Sequence, residues 1–240
     1  MKISLIIPMY NEISIAADTA KTLNSYMRGV YDDFEIIFCD DGSTDGCAGA
    51  VRDLRLEHVR VTGYKNNRGK GYAVKTGMLE AAGDIVIFTD CDLAYGTEVI
   101  KKLCDMLVSS PGYALAIGSR RLERGGYGKY TVIRSLASKV YVNILRVAGG
   151  IKQSDFQCGC KAFRHDAARA VFSVLSTDGF AFDYEALLLA GKLGFKTAEV
   201  PVKIINHRES KINLARDAIR MLNDVRKIKR KVNADFKHKK

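Results

Sequence analysis

The stretch Ile85-Val86-Ile87-Phe88-Thr89-Asp90-Cys91-Asp92 runs from a short apolar segment into two carboxylates two residues apart. A segment of that length, rich in β-branched and aromatic side chains, reads as a buried strand. The same arrangement occurs twice upstream. Ile3 to Ile7 leads into Pro8-Met9-Tyr10-Asn11-Glu12, and Phe34 to Cys39 leads into Asp40-Asp41-Gly42-Ser43. In a parallel sheet all three acidic segments emerge along one carboxyl edge, where open α/β sheets bind ligands. Carboxylates gathered there need a positive partner, and a divalent metal carrying a phosphorylated ligand supplies one. The chain therefore reads as a nucleotide-using enzyme.

Outward from these segments, apolar runs alternate with helical patterns. The periodicity predicts strand 2–8, helix near 12–27, strand 34–40, helix 45–56, strand 59–64, helix 70–82, strand 84–89, helix 96–109 and strand 114–119. That alternation is the signature of βαβ units, and right-handed crossovers put helices on both faces of the sheet. After Ser119 come a Gly/Arg-rich loop from Arg120 to Gly128, a candidate lid, and a helix near 131–147. A short strand at Lys161–Phe163, helices near 166–174 and 183–193, and a strand at 196–205 complete the pattern. The fold class is α/β: a single-domain, mainly parallel sheet flanked by helices, followed by a basic amphipathic C-terminal helix. The expected division is 1–212 for the catalytic domain and 213–240 for the helix and tail.

Composition agrees. The 240 residues, 47% hydrophobic with only three prolines, suffice for one large core, and no Ser/Pro/Gly linker divides them. The six cysteines lack the spacing of a disulfide framework and fit a reduced, cytosolic compartment. Cys158-Gly159-Cys160 invites a zinc reading, but no second Cys pair or nearby His supplies the remaining ligands. Pro8 and Asn11-Glu12 cut the first apolar run too short for a signal peptide. No stretch approaches the ~20 apolar residues of a membrane-spanning helix.

The net charge of +11 concentrates near the end, where Arg226, Lys227, Lys229, Arg230, Lys231, Lys237, Lys239 and Lys240 face Asp235. Such a tail fits a solvated terminus or an anionic membrane surface, and a nucleic-acid partner is not expected. Leu214, Ala218, Met221, Val225, Ile228 and Val232 form a narrow apolar stripe at steps of four and three. Packing back onto the domain is the first reading of that stripe; lying in a membrane interface or pairing with another helix are the others.

A D-x-D pair alone also fits a turn or a helix cap; its company gives it weight. The carboxylates of Asp40-Asp41 stand where they would accept from a base imide or ribose hydroxyls, and Tyr10 is an aromatic that would lie against a nucleobase. No G-x-x-x-x-G-K-[ST] is present, and Gly69-Lys70-Gly71 lacks the spacing of a phosphate loop or dinucleotide fingerprint. Hydride-transfer and ATPase readings are disfavoured.

On these motifs the chain resembles a family 2 glycosyltransferase with the A-type nucleotide-sugar fold, in the branch of dolichyl-phosphate glucosyltransferases and mannose synthases. The carrying residues are Pro8-x-Tyr10-Asn11-Glu12, Asp40-Asp41-Gly42-Ser43-x-Asp45, Asn67-x-Gly69-Lys70-Gly71-x-Ala73-Val74-x-x-Gly77, Asp90-x-Asp92-Leu93, Gly118-Ser119-Arg120, Gln157-Cys158-Gly159-x-Lys161 and Phe182-Asp183-x-Glu185. The resemblance implies that Pro8, Tyr10, Glu12, Asp41 and Lys70 bind the nucleotide sugar. It implies that Asp90 contacts the ribose or metal-linked phosphate, and that Asp92, with Asp90, ligates Mg2+ or Mn2+. Where related synthases carry a further polar ligand, Ala94 stands, so water is expected to fill that position. Arg120, Arg134 and Ser138 match positions that hold phosphate in the polyprenyl-phosphate enzymes, and Arg208 and Lys211 are candidate phosphate clamps.

The expected reaction is an inverting, metal-dependent transfer of a hexose, first of all glucose from UDP-glucose, from a nucleotide diphosphate sugar to a polyprenyl phosphate. Its expected place is the cytosolic membrane face, where the basic tail or a membrane partner protein keeps the chain near its lipid. A lipid phosphate is already anionic, so alignment and charge stabilisation suffice. The alternative is a glycan or protein hydroxyl acceptor, which needs a base, for which Asp155 or Asp183 is placed by motif. A third reading is a catalytically silent nucleotide-sugar or membrane-surface binding module.

Overall fold

In a computed structural model, which describes residues 1–127, 142–206 and 214–237, the apolar runs fold as strands. They are β1 (Ile3–Met9), β2 (Phe34–Asp40), β3 (Val59–Gly63), β4 (Ile85–Thr89), β5 (Leu115–Ser119), β6 (Cys160–Arg164) and β7 (Thr197–Pro201). Between them lie α1 (Ala16–Val30), α2 (Cys47–Arg52), α3 (Lys70–Glu80) and α4 (Glu98–Ser109). A helix at residues 142–149, here α5, precedes α6 (His165–Val174), α7 (Phe182–Lys192) and α8 (Leu214–Lys237).

The strands form one sheet in the order β3-β2-β1-β4-β6-β5-β7. All neighbours are parallel except β6, which runs antiparallel to both β4 and β5. Successive side chains of a strand point to opposite faces, and both faces are covered. Leu5, Ile7, Ile36, Phe38, Ile85 and Ile87 join the core under α1, α2 and α4. Ile6, Ile37, Val86 and Phe88 join the core under α3, α5, α6, α7 and α8. A strand buried on both faces reads as a continuous apolar run, which is why Ile85 to Phe88 shows no alternation.

Several elements end earlier than periodicity predicts. The strand expected over 196–205 stops at Pro201, beyond which the backbone turns to serve loops: Val202 N donates to Ser119 O, Ile204 N to Gly126 O and Ile205 N to Ala94 O. The helix expected over 45–56 covers only Cys47–Arg52, and Arg55 beyond it takes a left-handed conformation. The first helix starts later than expected because residues 11–15 make a turn at the sheet edge, with Ile13 N held by Asp45 and Ile15 N by Glu12 O. The expected helix near 131–147 is described only from residue 142.

From Met221 onward α8 packs back onto the domain, the first of the three placements the stripe allowed, while the side chains of Leu214 and Ala218 lie outside the described residues. Val225, Ile228 and Val232 are buried in the core that includes α7, with Met221, Leu222 and Phe236 against it. Lys229 Nζ donates to Ala148 O at 2.9 Å near the C-terminus of α5, the end of a helix that favours a cation. Arg226, Lys227, Arg230 and Lys231 remain exposed on the opposite side. Among the described residues no helix is long and apolar enough to cross a membrane.

Candidate active site

The site begins where β1 and β4 part. Their ladder ends at Ile6 and Phe88, so Pro8, buried in β1, lacks a donor that no neighbour on that side requires. Beyond this gap the chain emerges at Tyr10, 47% exposed, and at Asp90 to Asp92. Because β6 is antiparallel, its start rather than its end lies here: Cys160 pairs with Thr89, bringing Gly159 to the same edge. Arg120 follows β5 at this edge too.

Asp90 is held between two partners. Lys70, the first residue of α3, places Nζ 2.5 Å from Asp90 Oδ1. On the other side lies Gly159, where a Cβ would collide with Asp90 Oδ2. Asp92 stands beside it with Oδ1 accepting from Ala94 N at 3.0 Å. Burial raises the Asp92 pKa, and repulsion from Asp90 and Glu12 adds to the shift against the opposing pull of Ala94 N and Lys70. Burial works to lower the Lys70 pKa, but Asp90, Asp183 and Asp92 outweigh it and the net direction is upward.

This donor set fits a hard divalent cation. Burial and, after it, repulsion from Asp90 both disfavour the charged form of Asp92, and a dication between the two carboxylates offsets both. Among the described residues no three His, Cys, Asp or Glu side chains form a metal cluster. Two protein carboxylates with the rest of the shell left to diphosphate and water is the usual pattern for Mg2+.

Two further ion pairs close the floor. Lys161, fully buried in β6, donates to Asp183 Oδ1 at 2.5 Å and Cys158 O at 2.6 Å. Burial raises the Asp183 pKa against the opposing pull of Lys161 and Lys70. Arg120 meets Asp155 through Nε and Nη2, both at 2.6 Å. Asp155 is wholly buried and Arg120 nearly so, so each is occupied by the other rather than presented to solvent.

Asp41 lies at the edge but faces inward. Its carboxylate accepts from Tyr64 Oη at 2.6 Å, Asn67 Nδ2 at 2.8 Å, Arg68 N at 2.8 Å and Gly69 N at 2.9 Å. A carboxylate has about four acceptor positions, so Asp41 is saturated and acts as the post on which the loop leading to Lys70 is built. That loop also abuts the start of α7: a Cβ on Gly71 would meet Thr177 O and Phe182 Cβ, and Tyr72 N donates to Asp178 O. Gly69-Lys70-Gly71 is therefore a close-approach motif that delivers Lys70 to Asp90. Arg134, Ser138, Arg208 and Lys211 lie outside the described residues.

Sequence reading assigned no role to Lys161, Glu185, Glu199 or Asn206. Glu185 accepts from Ser176 N, Ser176 Oγ and Thr177 N, fixing the turn against Gly71. Glu199 does the same for Ser154, next to Asp155. Asn206 Nδ2 donates to Leu93 O, bracing the left-handed residue after Asp92. For Lys161 a signal existed: an amine inside the apolar run Cys160-Lys161-Ala162-Phe163 needs a buried counter-charge.

A sheet of this order, with paired carboxylates where β4 leaves it, has the A-type fold of nucleotide-sugar transferases. Mannosyl-3-phosphoglycerate synthase from Rubrobacter xylanophilus superposes with TM-score 0.74 at 19% identity, over 98% of this chain and 75% of that one. Glucosyl-3-phosphoglycerate synthase from Mycobacterium tuberculosis, in complex with Mn2+, UDP-glucose and glycerol 3-phosphate, gives TM-score 0.67 at 20% identity, over 93% and 79%. The family follows from sequence: the pattern described as Glycosyl transferase family 2 matches residues 4–172. The chain belongs to that family and is a glycosyltransferase. Its relatives include dolichyl-phosphate beta-glucosyltransferase of Saccharomyces cerevisiae, 31% identical over 93% of this chain and 72% of that protein. The protein of the same description from Dictyostelium discoideum is 32% identical over 95% and 73%.

Proposed function

We propose that the protein transfers a hexose, first of all glucose from UDP-glucose, to a polyprenyl phosphate with inversion at the anomeric carbon, using Mg2+ or Mn2+. The two similar proteins named as dolichyl-phosphate beta-glucosyltransferases support the acceptor class and the β product. The observation that carries the reading at the site is the state of the two motif-placed bases. Asp155 is bound on both oxygens by Arg120, and Asp183 is buried against Lys161. A hydroxyl acceptor needs a carboxylate free to take its proton; an acceptor phosphate, already anionic, does not.

In this mechanism an acceptor phosphate oxygen forms the bond to C1 of the sugar while the C1 bond to the nucleoside diphosphate breaks. The leaving diphosphate departs with the bonding electrons, and no proton moves in that step. The metal, when bound at Asp90 and Asp92, supplies charge stabilisation to the departing diphosphate. Lys70 stands beside those acids and adds a second cation to the same oxygens. Tyr10, exposed at the end of β1, offers its ring face to the nucleobase. Arg134, Ser138, Arg208 and Lys211 are assigned to the acceptor phosphate on motif grounds. The enzyme works at the cytosolic membrane face, with the basic side of α8 or a membrane partner protein holding it near its lipid.

The test is incubation of purified protein with Mg2+ or Mn2+, a polyprenyl phosphate and a panel of UDP- and GDP-sugars, with lipid-linked sugar scored by mass spectrometry. Asp92→Asn serves as the blank. A lipid-phosphate-hexose product lost in the variant is the expected result. Metal-dependent donor hydrolysis with no lipid product would move the acceptor to a hydroxyl, and no turnover with any donor would leave a binding module.

A further inference from the structure

Asp90 already has a cation. Lys70 Nζ lies 2.5 Å from Asp90 Oδ1, while the backbone at Gly159 closes the Oδ2 side so tightly that a single methyl group would collide there. The carboxylate is thus hemmed in beside the lysine. A metal that engages Asp90 meets a group whose Oδ1 already carries an ammonium. The lysine has an outlet: though mostly buried, about a fifth of its side chain is exposed, and an ammonium on a four-carbon stem is a mobile point charge. Its anchor is not free, because Gly69 and Gly71 on either side are pinned against Asp178 O and Thr177 O. The amine therefore moves about a fixed root at the mouth of the site.

We propose that Lys70 is a stand-in for the metal. In the nucleotide-free protein it neutralises Asp90 and keeps the divalent cation out; when metal and nucleoside diphosphate arrive together, the amine leaves Asp90 for the diphosphate. Metal and nucleotide then bind as a coupled pair. The metal alone competes with a resident charge, whereas the diphosphate gives that charge somewhere else to go. By linkage each ligand tightens the other by the same factor. The protein is in this way kept from holding a bare metal at a site open to solvent. This inference rests on the metal reading above, and its test separates the two.

Lys70→Met removes the competitor and the diphosphate partner at once, so the two affinities should move in opposite directions. A substitution that merely loosened the site would weaken both. Mn2+ binding to the full chain without nucleotide is measured by electron paramagnetic resonance of free Mn2+, and UDP binding at saturating Mn2+ by calorimetry. Relative to the unaltered protein, Lys70→Met should bind Mn2+ alone roughly tenfold tighter or more, as removal of a unit charge at this distance requires, and bind UDP roughly tenfold more weakly. Lys70→Arg, which keeps the charge, should keep the weak binding of Mn2+ alone. Equal Mn2+ affinity in Lys70→Met and the unaltered protein, with UDP-dependent Mn2+ binding intact, overturns the stand-in role and leaves the metal site standing. Absence of Mn2+ binding in every form, with UDP or without it, overturns the metal reading and the inference together.

Discussion

Arg120 and Asp155 meet in a two-armed pair at the end of β5, Nε to Oδ2 and Nη2 to Oδ1 both at 2.6 Å, and the Arg120 amide adds a third bond to Oδ2 at 2.9 Å. Asp155 is 0% exposed and Arg120 12%. Removing either partner leaves a buried charge without compensation, which costs about 3–5 kcal/mol. Asp155→Ala and Arg120→Ala are each expected to lose that much stability in urea unfolding. A double change to Leu and Met should recover part of the loss, since the second charge no longer goes unpaired. A loss below about 1 kcal/mol in both single variants would show that the pair is in effect solvated.

The same pair sets a pH dependence. Burial pushes the Asp155 carboxyl up, but Arg120 outweighs it and holds the native value below the ordinary one. The folded state therefore binds its proton less readily than the unfolded chain, whose Asp titrates at about 3.9. Stability from the pair is fully present above that value and is lost as pH falls through the depressed native value. The gap in urea midpoint between the unaltered protein and Asp155→Asn should be widest above about pH 5 and narrow toward pH 3. A gap that stays constant across this range would exclude Asp155 titration as its source.

How far the sequence reached depended on how far apart the interacting residues lie. Asp90 and Asp92 were legible because the run Ile85–Thr89 and the acids it delivers are contiguous. The order of the sheet was not, since nothing near Cys160–Arg164 announces that this five-residue strand inserts antiparallel between β4 and β5. Asp41 shows the same limit. Motif position put it against the nucleoside, yet its donors are Tyr64, Asn67, Arg68 and Gly69 on a distant loop, and only the fold reveals that they claim all its lone pairs. Arg120 and Asp155, read separately as a phosphate clamp and a base, are partners across 35 residues of sequence. In the stripe of α8 the periodicity was plain, but what it packs against was settled by α7 and its core.

Gly159 offers a probe of how tightly Asp90 must be held. A Cβ at this position would strike Asp90 Oδ2, a carboxylate already tied to Lys70 on its other oxygen. Gly159→Ala should push Asp90 off its place with a stability loss of about 1–3 kcal/mol, the usual cost of overpacking. The effect on turnover should be larger, on the order of a hundredfold, because a displacement of about 1 Å in a reacting group costs that much. Steady-state kinetics with lipid acceptor and UDP-glucose, set beside the urea midpoint, separate the two. Activity within a few-fold of the unaltered protein would mean that Asp90 need not stay where Gly159 and Lys70 hold it.

From Met221 onward α8 has one face that packs into the core and one basic face that is exposed. Val225, Ile228 and Val232 are buried, each contributing about 1.5–3 kcal/mol, so deleting the helix would unfold the protein's own core rather than report on membrane contact. Arg226, Lys227, Arg230 and Lys231 project outward. With Val225, Ile228 and Val232 already used in the core, the proposed contact of this helix with an anionic bilayer would rest on charge alone, at about 1 kcal/mol per basic residue near the surface. Changing these four residues to Gln should leave the urea midpoint unchanged and abolish most co-sedimentation with vesicles containing phosphatidylserine or phosphatidylglycerol. Raising the salt on the unaltered protein should do the same, because surface charge is screened over about 8–10 Å near physiological ionic strength. Val225→Asp should show the converse, a large stability loss of the kind that follows burial of an unpaired charge. Vesicle binding that survives both the four substitutions and high salt would place the membrane contact on another part of the molecule.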